Sequence, residues 1–251
     1  MHTPICRERP DAHSLVVFIH GFMGSPGQFE DLLEDAYRRG SSVCAVLLPG
    51  HGGVNEDFAR YGLADWEGHL QSELDKYTGA YRKIILVGHS MGGLLALEAS
   101  LNPHNCVCGL FLIAPPLKLN MGPRSAVLKL RLFTYPPSNQ IKKAYMQAKS
   151  ISNLAVSPGW IKPYRGLRRL MKRTARNLPQ VLTPVLAIHS RYDEMVSFKS
   201  ADMFYNGLCN SFRSRLTLEK SWHAYYPPEE WQTVRAALAE FSGSCLQDHG
   251  Q

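Results

Sequence analysis

Short apolar runs alternate with amphipathic stretches along most of this chain. Residues 14–19 read Ser-Leu-Val-Val-Phe-Ile. A run that never alternates with polar residues marks a strand covered on both faces. Segments 42–48, 83–87, 107–114 and 185–189 carry the same signal, and 214–218 reads as a further strand. Between them, apolar residues fall at helical spacing. Segment 28–39 places Phe29, Leu32, Leu33 and Ala36 on one face and stops at Gly40. Segment 65–77 is amphipathic with Asp65 as its N-cap, and 94–101, 198–208 and 229–241 complete the helices. Strands alternating with helices predict an α/β fold, a mostly parallel central sheet flanked by helices.

The rhythm breaks after Pro115-Pro116 and resumes near residue 183. The intervening stretch has helical segments at 125–133, 139–149 and 164–177, separated by Pro and Gly. The organisation expected is a core of residues 1–114 and 183–251 carrying a small helical cap insertion, 115–182.

Charge sharpens that division. The insert holds 14 of the 28 Lys and Arg residues and no Asp or Glu, so the rest of the chain has 14 basic against 21 acidic residues. A mildly acidic body therefore carries a strongly basic insert. The 251 residues, 45% of them hydrophobic and 20% charged, suit one soluble globular domain. No apolar run reaches the roughly 18–20 residues of a membrane span, and residues 1–11 lack a signal-peptide core. The expected location is the cytoplasm. Six scattered cysteines form no disulfide framework. Cys106 and Cys108 are spaced too closely for a zinc knuckle, so inert thiols are expected.

Candidate chemistry begins at Gly88-His89-Ser90-Met91-Gly92, a G-x-S-x-G between an apolar strand and an amphipathic helix. That context suits a nucleophile elbow, a turn so tight that side chains two positions either side of the serine would strike backbone. Gly93 lets the helix pack close to the sheet. A serine hydroxyl needs an adjacent base oriented by an acid. His223 follows the final strand, where a loop at the carboxyl edge places a base; His249 lies in a polar tail. Asp193 follows the strand 185–189 and is the candidate acid, with Glu194 beside it as competitor and Asp202 less suited. An oxyanion requires backbone N–H donors. Met91 supplies one at a helix start, and Phe22, in the glycine-flanked loop after the first strand, supplies the other.

Taken together, His20-Gly21-Phe22-Met23-Gly24-Ser25-Pro26, Pro49-Gly50-His51-Gly52, Gly88-His89-Ser90-Met91-Gly92-Gly93, Asp193 and His223 resemble the α/β-hydrolase superfamily. More narrowly, the chain is similar to compact bacterial carboxylesterases and monoacylglycerol lipases, over residues 15–241. The resemblance implies an α/β-hydrolase fold, with Ser90 as nucleophile, His223 as base, Asp193 as acid, and oxyanion donors at Phe22 and Met91. It also gives His51 a structural role in its loop, and His20 reads as bracing the oxyanion loop. Two departures stand out. The antiparallel strands that open many members are reduced or absent, and the acid loop, 191–196, lacks the glycine often found before the acid.

The expected activity is carboxylic ester hydrolysis through an acyl-enzyme, on short- to medium-chain esters or monoacylglycerols. Thioester, amide or C–C hydrolysis on the same triad is the alternative, and an idle hydrolase-fold binding protein a distant third. No cofactor and no metal ligation are expected: the Cys, Met and aromatic residues show no cofactor spacing, and neither a G-x-x-x-x-G-K-S/T nor a G-x-G-x-x-G phosphate loop is present. The insert sits where this fold carries a cap. Leu128, Leu130, Leu132, Phe133, Tyr135, Met146, Trp160, Leu167, Leu170 and Met171 are candidates to line an acyl pocket. Its charge allows a solvated face, attraction to an anionic membrane or lipid, or steering of anionic substrates. No nucleic-acid module is recognisable.

Overall fold

The computed structural model describes residues 2–53, 55–120 and 160–247. Seven strands form one sheet: β1 (Ile5–Arg7), β2 (Ser14–Ile19), β3 (Ser42–Val46), β4 (Lys83–His89), β5 (Val107–Ile113), β6 (Val185–Ser190) and β7 (Arg213–Leu218). Their order is β1-β3-β2-β4-β5-β6-β7. All neighbouring pairs are parallel except β1 with β3. The helices are α1 (Glu30–Arg38), α2 (Asn55–Arg60), α3 (Leu63–Asp75), α4 (Met91–Ser100), α5 (Ile161–Asn177), α6 (Lys199–Gly207) and α7 (Pro228–Leu246).

The continuous apolar runs are explained by burial on both sides of the sheet. Leu15, Val17, Ile19, Ile84 and Leu86 pack with α3, α4 and α5 on one face. Val16, Phe18, Ile85, Val87 and Phe111 pack with α1 and α7 on the other. Helix α4, apolar all round, is buried from Met91 to Leu97, as expected of a helix inside the core rather than on its surface.

Several boundaries differ from the sequence pattern. Helix α3 begins at Leu63, two residues before Asp65, and the Asp65 carboxylate accepts the Gly62 N–H at 2.8 Å. Asp65 therefore caps from inside the first turn. Helix α4 starts directly after Ser90 rather than at residue 94, because Gly92 and Gly93 are helical here and not part of the turn. Helix α2 was not anticipated, and it contributes the fully buried Phe58.

The opening antiparallel part of the sheet is reduced to the three-residue β1. Its register sets Cys6 opposite Cys44, and the two are joined as a disulfide. This corrects the reading of all six cysteines as free thiols; Cys106, Cys108, Cys209 and Cys245 are free.

The predicted insert helices at 125–133 and 139–149 lie outside the described residues. Helix α5, the third, is amphipathic. Leu167, Leu170, Met171 and Thr174 face the body, while Arg165, Arg168, Arg169, Lys172 and Arg176 are exposed. Arg173 fastens it, pairing with Glu98 of α4 at 2.9 Å and with Glu67 of α3. Thr174 and Asn177 donate to the same Glu98 carboxylate at 2.7 and 2.9 Å. Among the described residues no helix is long and apolar enough to cross a membrane.

Candidate active site

Ser90 lies between β4 and α4 with φ 53° and ψ −121°. A non-glycine residue at positive φ is strained and persists only where its surroundings enforce it. Two close approaches enforce it here. A Cβ on Gly88 would lie 2.5 Å from the Gly92 carbonyl oxygen and the Gly93 backbone, and one on Gly92 would lie 2.0 Å from the Ile19 carbonyl oxygen. Both positions must be glycine for β4, α4 and the end of β2 to approach this closely. The Ser90 N–H donates to Ile113 at 2.8 Å, fixing the elbow to the neighbouring strand.

The loop after β2 runs against this elbow. A Cβ on Gly21 would stand 2.9 Å from the Ser90 Cβ, so the backbone leading to Phe22 passes beside the serine. His20 braces the loop. Its Nδ1–H donates to the Gly21 carbonyl at 3.0 Å, and its Nε2 accepts the Leu48 N–H at 3.1 Å. Burial and the neighbouring His51 hold the His20 pKa well below its usual value. His51 is buried against Phe58 and Trp66, its Nδ1 donates to the Pro49 carbonyl at 3.2 Å, and burial lowers its pKa to about 4. It does not line the cavity at Ser90.

The acid loop follows β6. Asp193 Oδ1 accepts the N–H groups of Met195 and Val196 at 2.8 and 2.7 Å, and its Oδ2 meets His223 Nδ1 at 2.8 Å. Burial alone would raise its pKa. The charge and hydrogen bond of His223, with the two amides, outweigh that and lower it. Asn120 Nδ2 donates to the Asp193 carbonyl at 2.9 Å. No residue of 191–196 has positive φ, so the loop needs no glycine before the acid.

Glu194, the adjacent carboxylate, is also buried but is engaged differently. It accepts the backbone N–H of His223 at 3.0 Å. The His223 carbonyl is held from the other side by His89 Nε2–H at 2.9 Å and by the Tyr226 hydroxyl at 3.3 Å. The His223 backbone is thus clamped at both ends while its ring faces Asp193. His89 is buried apart from the part that meets the cavity, and its pKa falls to about 3, chiefly through desolvation and then through His223. It is neutral, and its Nε2 carries the proton. Neither Glu194 nor His89 was assigned this clamping role from the sequence, although His89 is the residue preceding the serine in the motif.

Ser90, His89, His223 and Phe22 open onto one cavity of about 340 Å³. Its remaining walls are largely apolar: Met23, Met195 and Val196 from the body, with Leu119, Trp160, Tyr164 and Leu167 from the insert. Leu170 and Met171, expected in the pocket, instead pack into the core. Met91 is buried and opens α4, where the first N–H groups have no intrahelical partner. Among the described residues no cluster of His, Cys, Asp and Glu could hold a metal ion.

Known proteins match both the sequence and this architecture. The thermostable monoacylglycerol lipase of Bacillus sp. (strain H-257) is 26% identical over 208 residues, 83% of this chain and 82% of that protein. The carboxylesterase of Bacillus subtilis (strain 168) is 21% identical over 236 residues, covering 90% and 91%. The crystal structure of Paleococcus ferrophilus monoacylglycerol lipase superposes with a TM-score of 0.73 at 18% identity, covering 96% of this chain and 98% of that one. The model of the alpha/beta hydrolase family matches residues 16–241, and with that match and this fold the chain belongs to the alpha/beta hydrolase family.

Proposed function

We propose that the protein is a serine carboxylic ester hydrolase acting on short- to medium-chain acyl esters, monoacylglycerols among them. The observation that carries this reading is the pairing of His223 Nδ1 with Asp193 at 2.8 Å while the His223 ring and Ser90 face the same apolar cavity. With Nδ1 donating to an ionised carboxylate, Nε2 is the basic nitrogen. Ser90 attacks the ester carbonyl as His223 Nε2 takes its proton. The N–H groups of Phe22 and Met91 stabilise the oxyanion, each worth about 3–4 kcal/mol in such a site. His223 returns the proton to the leaving alcohol, and a water activated by the same base releases the acid. The names of the matched lipase and esterase support the ester as substrate.

A fluorophosphonate probe and a series of p-nitrophenyl esters, run beside a monoacylglycerol, test the proposal. Labelling should vanish in Ser90→Ala, and hydrolysis should peak at a chain length the 340 Å³ cavity can hold. Wild-type labelling of the Ser90→Ala protein would move the nucleophile elsewhere.

The outer face of α5 supports a further element of this proposal, peripheral contact with anionic lipid. Arg165, Arg168, Arg169, Lys172 and Arg176 form no ion pair among the described residues. Ile161 and Tyr164 are exposed at the end of the helix nearest the cavity.

A further inference from the structure

Beside the apolar cavity lies a second, open cleft of about 560 Å³. Three cations line it: Lys118 from the segment after β5, Arg168 from α5, and Lys199 at the start of α6. No carboxylate lines it, and none of the three forms an ion pair among the described residues. Two acids on the elements that form it are already engaged. Asp193 is held by His223, and Asp202, in the first turn of α6, pairs with Arg215 at 3.0 Å. The positive end of α6 adds to the same potential.

The cleft and the cavity share a wall. Leu119 lines both, and its backbone bridges Val196. Val196 faces the apolar cavity while Ser197 faces the cleft, and on α5 Leu167 faces the cavity while Arg168 faces the cleft. At three places, then, one residue or one step along the chain separates an apolar chamber containing Ser90 from a cationic one. Three like charges gathered without a counter-charge repel one another, an arrangement relieved by a bound anion.

We infer that the Lys118–Arg168–Lys199 cleft binds the anionic group of an amphiphilic ester whose acyl part occupies the neighbouring cavity, so that phosphate-bearing acylglycerols are substrates. This rests on the ester-hydrolase reading and narrows it. Arg168 offers a planar fork suited to phosphate, and the two lysines supply point charges.

Binding of non-hydrolysable ethers separates the two claims. The Ser90→Ala protein is titrated calorimetrically with 1-O-octylglycerol 3-phosphate and with 1-O-octylglycerol, both below their micellar concentrations, and with inorganic phosphate alone. The ether phosphate should bind about tenfold or more tightly than the neutral ether at low salt, and the advantage should shrink as salt rises. Adding Lys118→Gln, Arg168→Gln and Lys199→Gln should erase the advantage and leave the neutral ether's affinity unchanged. All three side chains are exposed, and an unchanged melting temperature shows that the fold survives. Equal binding of the two ethers overturns the inference, as does an advantage that persists in the triple variant. Inorganic phosphate binding as tightly as the ether phosphate would make the cleft a free-anion site and also overturn it. Selective ether binding alongside inactivity towards every ester would count against ester hydrolysis alone.

Discussion

His223 and Asp193, thirty positions apart in sequence, meet at 2.8 Å through Nδ1 and Oδ2, while the next residue, Glu194, takes the His223 backbone N–H instead. Two adjacent buried carboxylates therefore act on one histidine in different ways, one on its ring and one on its main chain. Asp193→Asn should lower kcat by about 10⁴, the scale for losing the acid of such a triad, because the amide no longer selects the tautomer. Glu194→Gln keeps a carbonyl oxygen for the His223 N–H and should stay within about tenfold of wild type. Steady-state rates on a p-nitrophenyl ester decide this, and the reverse ranking would transfer the acid role to Glu194.

The glycines of the elbow make a prediction of opposite sign to those on the surface. Gly92→Ala puts a Cβ 2.0 Å from the Ile19 carbonyl oxygen, a clash with backbone that no side-chain motion relieves. It should cost about 3 kcal/mol or more, in the range of the severe core mutations. Gly68, exposed in mid-α3, has nothing within 4 Å of an added Cβ. Gly68→Ala should stabilise by about 0.5–1 kcal/mol. Chemical denaturation of the two variants reads both signs, and a neutral Gly92→Ala would show that the elbow relaxes more freely than its packing implies.

These contrasts show what was readable in one dimension. The central strands were legible because residues such as Val16 and Val17 are buried on opposite faces, which leaves an unbroken apolar run. The elbow was legible because its glycines are local in sequence. Strand β1 was not, since Ile5–Arg7 has only intermediate or exposed side chains and is defined by its partner β3. The Cys6–Cys44 bond depends on that same pairing. Likewise, the clamp on His223 joins His89 and Glu194, which lie 134 and 29 positions away. Hydrogen bonds of that separation leave no periodic trace. The boundaries of α3 and α4 shifted because Asp65 caps from within the helix and Gly92 and Gly93 are helical, choices that tertiary packing makes.

Four buried histidines give the protein an acid-sensitive stability. Burial depresses His51 and His189 to about 4 and His89 to about 3, and His20 is also lowered. Each is neutral when folded but takes up a proton near pH 6.5 when unfolded. Their stabilisation is complete above pH 6.5 and is lost as pH falls from there towards the folded values. The lowered Asp193 acts in the same direction at still lower pH. Each histidine contributes about 1.4 kcal/mol per pH unit within its window. Calorimetric melting between pH 7 and pH 4 should therefore fall steeply, and His51→Gln should reduce the slope by one proton. A melting temperature that stays flat down to pH 4.5 would contradict the burial of these rings.

Membrane contact through α5 can be separated from catalysis, because the cations at issue do not touch the cavity. Arg165, Arg169, Lys172 and Arg176 are exposed on the outer face, beyond the Leu167 side that lines the pocket. Each cation near an anionic leaflet is worth about 1 kcal/mol. Replacing all four with Gln should therefore reduce partition onto phosphatidylglycerol vesicles by about a hundredfold or more, the figure for only three of them in contact at once. Binding of the wild type should weaken from 50 to 300 mM salt, as about the same number of screened contacts requires. Hydrolysis of a monomeric short-chain ester should be unaffected, while hydrolysis of a monoacylglycerol presented in anionic vesicles should fall with the loss of binding. Co-sedimentation that ignores lipid charge, salt and these four substitutions would leave α5 as a solvated face. The combined loss of vesicle binding and vesicle-borne turnover, with the monomeric rate intact, would assign it to delivering Ser90 to the lipid surface.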